Sequence, residues 1–169
     1  MRTLGLAIAL LLVATPAFAD WQTVAPKGAH FSVKVPAAPE LKTTDVATGA
    51  GKVPVTVYVA TAGGVQYMAT ANDRPTSAQA GTVAEVFDRG LAPFVAKAPI
   101  IASKDATYRG APMREVVFSD HRHTVRVRIV LAGHRVYMLM VIADRQGATN
   151  ASSDVATADA EKFLTSLRY

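Results

Sequence analysis

The chain has 169 residues, with 18 Lys+Arg against 13 Asp+Glu, a formal charge of +5 and no cysteine. Disulfides and thiolate metal sites are excluded, and the length suits one domain that buries a core without staples. The mild positive charge permits attraction to anionic envelope polymers or lipid headgroups. Nucleic acid is not an expected partner, since there is no basic run and no interleaving of aromatic with basic residues.

The first nineteen residues have the three parts of a secretory leader. Met1-Arg2-Thr3 carries positive charge, Leu4 to Ala14 is apolar, and Ala17-Phe18-Ala19 offers small residues at the two positions a signal peptidase reads. The apolar run is shorter than the roughly 20 residues a membrane span needs. Cleavage before Asp20 is therefore expected, leaving one domain over residues 20–169 with no later span. The short, alanine-rich leader is of bacterial type, which implies a periplasmic or secreted protein.

Phe31 to Val35 alternates apolar and polar residues, the pattern of a half-buried strand, and Pro36 and Pro39 break it. Val53, Val55, Val57 and Val59 share a face of a second strand, where Pro54 implies an edge position at its start. Gly49-Ala50-Gly51-Lys52 lacks phosphate-loop spacing and reads as a hairpin turn. Gly63-Gly64 turns the chain into a strand at Val65–Ala69. After Pro75 the period becomes helical. Thr82 and Glu85 form a capping box, and Val83, Val86, Phe87, Leu91, Phe94 and Val95 recur at helical spacing until Pro99.

A three-stranded meander follows. With Asp120-His121 as a two-residue turn, Val116 faces Val125, Phe118 faces His123 and Glu115 faces Arg126. With Ala132-Gly133 as the next turn, Val125 faces Met140, Val127 faces Met138 and Ile129 faces Val136. Val136–Ile142 is apolar on both faces and predicts a central strand covered on both sides. Residues 144–153 read as a loop carrying an Asn150-Ala151-Ser152 sequon. Ala156, Ala160, Phe163, Leu164 and Leu167 form a closing amphipathic helix. The order strands, helix, strands, helix predicts an α+β fold, an antiparallel sheet flanked by helices.

Several segments taken together resemble a known group. They are His30 to Pro36, Tyr67 with Asn72-Asp73-Arg74-Pro75, Tyr108-Arg109-Gly110, Arg135 to Leu139, and Phe163 to Leu167. The chain is similar to the PsbP-like group, which includes DcrB-like periplasmic proteins and the extrinsic subunit of plant photosystem II. The resemblance implies a PsbP-like α/β/α sandwich and a non-enzymatic accessory or binding protein acting through a protein partner in the cell envelope. It carries over no functional residue, because the group has no shared catalytic motif.

Read from the residues, His121 and His123 are the candidate metal ligands. Residues i and i+2 of a strand share a face, a good spacing for two imidazoles on one ion, with Asp120 adjacent. Zinc wants three or four ligands, so a metal-binding module is the alternative to a solvated turn with His123 packed on Phe118. Arg122, Arg126 and Arg128 share a strand face and are the candidate partner-binding residues. A structural reading accounts for them equally: Glu115 pairs Arg126, and Arg128 stacks on Tyr137. No cofactor is implied. Hydrolase and phosphate-loop motifs are absent, no carboxylate pair sits in an apolar setting, and Ser119-Asp120-His121 are mere sequence neighbours. The expectation is a protein that is not an enzyme.

Overall fold

Period-two alternation dominates the chain, and strands dominate its structure. The computed structural model describes residues 21–48, 51–74, 81–96, 98–145, 155 and 157–169; the expected leader and the Asn150 sequon lie outside the described residues. Strands β1 (Gln22–Val24) and β2 (Val33–Val35) pair as a small ribbon. Seven further strands form one antiparallel sheet: β3 (Glu40–Thr48), β4 (Gly51–Ala62), β5 (Val65–Asp73), β6 (Ile100–Tyr108), β7 (Ala111–Ser119), β8 (His123–Ala132) and β9 (Arg135–Asp144). Their order is β3-β4-β5-β9-β8-β7-β6. Two meanders thus meet where β5 pairs β9, which makes β9 the central strand, as its two apolar faces require.

Two short helices complete the fold, α1 (Val83–Val95) and α2 (Ala158–Leu164). The expected capping box starts α1: Glu85 N–H donates to Thr82 Oγ1 at 3.3 Å and Thr82 N–H to Glu85 Oε2 at 2.8 Å. The helices use opposite faces of β9. Tyr137, Leu139 and Val141 pack with Phe163, Leu164 and Leu167, beneath the β1–β2 ribbon. Met140 packs with Val86, Phe87 and Leu91 of α1 and with Val127 of β8. The sandwich expected from the sequence is therefore modified. The sheet predominates, and helices of 13 and 7 residues cover only part of it.

Both expected meander registers are corrected by two residues. Ser119 pairs Thr124, Phe118 pairs Val125, Val116 pairs Val127 and Glu115 pairs Arg128. The loop is wider than a two-residue turn because Asp120 organises it: its Oδ1 accepts from the backbone N–H of both Arg122 and His123 at 2.7 Å. The second turn is Gly133-His134, since Ala132 pairs Arg135. Gly133 takes φ +60°, the left-handed conformation a tight hairpin asks of a first turn residue. Val127 accordingly faces Met140, and Ile129 faces Met138. A slip of two leaves every side chain on its expected face. The meander has a fourth strand, β6, and the first half a further strand, β3. Pro54 lies in a strand with neighbours on both sides, but pairing with β5 begins only at Tyr58, so the start of β4 is paired on one side alone.

Candidate functional site

The arginine face of β8 is a closed cluster. Arg126 Nε and Nη2 donate to Glu115 Oε1 at 2.9 and 2.6 Å, and Arg128 Nε and Nη2 donate to Glu115 Oε2 at 2.9 and 2.6 Å. Arg126 also reaches Glu161 of α2, and Arg128 Nη1 donates to the Leu164 carbonyl at 2.9 Å. Side-chain exposure is only 11% for Arg126 and 8% for Arg128. Burial acts to raise the Glu115 carboxyl, but the hydrogen bonds and charges of the two arginines outweigh it and hold the group below its usual range. The expected partner of Arg128 is corrected. Arg128 faces Leu139 in the ladder, and its guanidinium lies 5.6 Å over the Tyr108 ring rather than against Tyr137. Arg122 does not join the cluster; it is exposed in the loop ahead of β8. Among the described residues no buried side-chain nitrogen or oxygen lacks a hydrogen-bond partner.

The histidine pair is separated by the same loop. β8 begins at His123, so His121 precedes the strand and the i, i+2 strand geometry does not apply. His123 faces Asp144 rather than Phe118, and its Nδ1 and Nε2 stand 3.6 Å from Asp120 and Asp144 oxygens respectively. Hydrogen bonds to the backbone N–H of Arg122 and His123 hold the Asp120 carboxyl below its usual range. Among the described residues no group of three or more His, Cys, Asp or Glu is placed to hold a metal ion.

A depression of about 330 Å³ lies at the other end of β8 and β9, lined by His30, Ala132, His134, Arg135 and Tyr137. Arg135 Nε and Nη2 donate to the two Asp73 oxygens at 2.5 and 3.1 Å, a bidentate pair across the β5–β9 ladder. His134 Nε2 is 3.5 Å from the same carboxylate. Arg135, above all, holds the Asp73 carboxyl below its usual range, with His134 and His30 adding to the effect. Tyr137 is buried, stacks on Tyr169 with ring centroids 5.1 Å apart, and donates to the His30 carbonyl at 3.3 Å. His30 itself sits at φ +52°. Sequence reasoning missed this set, whose members are up to 107 positions apart. The one signal was cross-strand: Asp73 opposite Arg135, visible only once β5 is known to pair β9.

A central antiparallel sheet with a short helix on either face and a docked carboxy-terminal segment is the PsbP-like fold. The solution structure of cyanobacterial PsbP (CyanoP) from Synechocystis sp. PCC 6803 matches with a TM-score of 0.57 and 11% identity, over 89% of this chain and 92% of that one. At that identity the likeness is one of fold. A crystal structure of a Pseudomonas aeruginosa protein of unknown function, PA94, matches at a TM-score of 0.40 and 10% identity, over 73% of this chain and 82% of that one. No family model and no curated protein matches the sequence. Among the described residues no helix is long and apolar enough to cross a membrane.

Proposed function

We propose that the protein is an exported, non-enzymatic accessory or binding protein that acts through a protein partner in the cell envelope. The observation that carries this reading is the PsbP-like fold across most of the chain, which by analogy of fold suggests an accessory or binding role. The polar groups support it. The charges buried beside α2 are satisfied within the molecule, so they read as scaffold rather than as acid–base machinery. Among the described residues, surfaces open to a partner include the depression near His30 and two edge strands, β3 with Leu41 63% exposed and β6 with Ile100 51% and Ile101 47% exposed. The leader-like residues 1–19 support export.

The test is co-purification of the tagged protein from the envelope fraction of its own cells. A protein recovered in near-equimolar amount, and absent with an unrelated exported control, is the expected result; recovery of the tagged chain alone contradicts the reading. The alternative is a metal-binding module at His121 and His123. Two aspartates stand beside His123 but form no metal-holding group with it among the described residues. Zinc calorimetry on wild type and on a His121→Ala, His123→Ala variant separates the two readings.

A further inference from the structure

The depression at the β8–β9 turn gathers His30, His134 and Arg135 at the edge of the core. We propose that it binds a carboxylate. Asp73 shows the preference of the site, because its two oxygens already take Arg135 Nε and Nη2 with His134 Nε2 close by. Capacity is left over. A guanidinium carries five N–H donors. Arg135 commits one each from Nε and Nη2 to Asp73, one from Nη1 to the Ala29 carbonyl at 3.4 Å and one to the Tyr137 hydroxyl, which leaves one. His134 is exposed at the mouth. The His30 imidazole lines the depression and has no hydrogen-bond or ion-pair partner among the described residues.

The backbone at His30 points the same way. A left-handed residue is accommodated most easily by glycine, and a histidine there carries strain that surrounding structure must sustain. Here the surroundings do so. The Tyr137 hydroxyl holds the His30 carbonyl, and Ser32 and Arg168 exchange backbone hydrogen bonds at 2.9 Å just beyond. A turn that needed only the conformation is served by Gly; one that keeps an imidazole at the rim of a guanidinium-floored hollow presents a donor to a ligand. A metal ion is the poorer fit, because Asp73, the only carboxylate among these groups, is already occupied by Arg135. Carboxylate binding here needs no envelope partner.

The experiment is a nuclear magnetic resonance titration of the isotope-labelled exported protein. The probes are succinate, a short acidic peptide with an amidated end, and the same peptide with Asn and Gln in place of Asp and Glu. Saturable shifts at His30, His134 and Arg135 with the first two probes, and none with the third, are expected. Tighter binding of the peptide assigns the carboxylate to a protein segment, and equal binding assigns it to a small free acid. Asp73→Asn removes the resident like charge and should tighten binding by roughly fivefold, the Coulomb effect of one charge at about 4 Å in water. His134→Gln should weaken it. Equal shifts with the amide peptide, absence of saturation, or weaker binding in Asp73→Asn overturns the proposal. Both variants are at exposed positions, so a thermal melt verifies that they fold.

Discussion

Replacing Glu115 by glutamine should destabilise the protein by about 3 kcal/mol. Breaking one partner out of a buried ion cluster costs about 3–5 kcal/mol, because the charges left behind stay desolvated. Glu115 accepts four hydrogen bonds, two at Oε1 from Arg126 and two at Oε2 from Arg128, and glutamine is neutral and turns an NH2 donor toward one of the two guanidiniums. The lower end of the range applies because neither arginine is wholly orphaned. Arg126 keeps Glu161, and Arg128 keeps the Leu164 carbonyl and the Tyr108 ring. Urea denaturation followed by circular dichroism measures the loss, which at this chain length corresponds to a melting-temperature drop of roughly 6–12 °C. A triple variant, Glu115→Leu, Arg126→Met, Arg128→Met, should recover most of the stability, since well-packed apolar groups replace a buried ion cluster at little cost. A Glu115→Gln protein within about 1 kcal/mol of wild type would put the cluster in the class of solvated surface pairs and refute the reasoning.

The same group gives a pH dependence. Its folded-state pKa lies below the unfolded value of about 4.3, so its contribution is present above that value and is lost as pH falls through the folded one. Acid titration of stability should therefore be shallower in Glu115→Gln than in wild type below about pH 4.3; parallel curves would reject the assignment. Met140→Ala should cost about 2–5 kcal/mol in urea denaturation, because Met140 is buried against Val127 and the α1 face. Deleting residues 163–169 removes Phe163, Leu164 and Leu167, none with any exposure, and should leave no cooperative unfolding transition. Intact-mass measurement of the exported protein should give a chain that starts at Asp20; retention of residues 1–19 would reject the leader.

The core was legible because period-two patterns are strongest where one face is buried. β2, β4, β5, β7, β8 and β9 and both helices follow from apolar spacing. Three strands were missed: β1, only three residues long, and β3 and β6, the edges of the sheet. Leu41 to Asp45 and Ile100 to Asp105 are exposed throughout, so neither run of side chains carries the alternation that a buried face imposes. Register failed for a different reason. Turn length depends on which backbone groups a side chain captures, and Asp120 widened a loop that composition alone made look tight. The depression was illegible because His30, Asp73 and Arg135 meet only through the β5–β9 ladder and the docking of the β1–β2 ribbon.

Arg126 and Arg128 of β8 hold the protein's own carboxy-terminal helix, so the partner proposed above should bind elsewhere on the surface. The direct measurement is partner recovery from the envelope by the tagged protein and its Arg126→Ala variant, at a temperature where circular dichroism shows both folded. Equal recovery from two proteins of unequal stability is expected. Loss of recovery in a folded Arg126→Ala protein would contradict it and make the arginine face the binding surface.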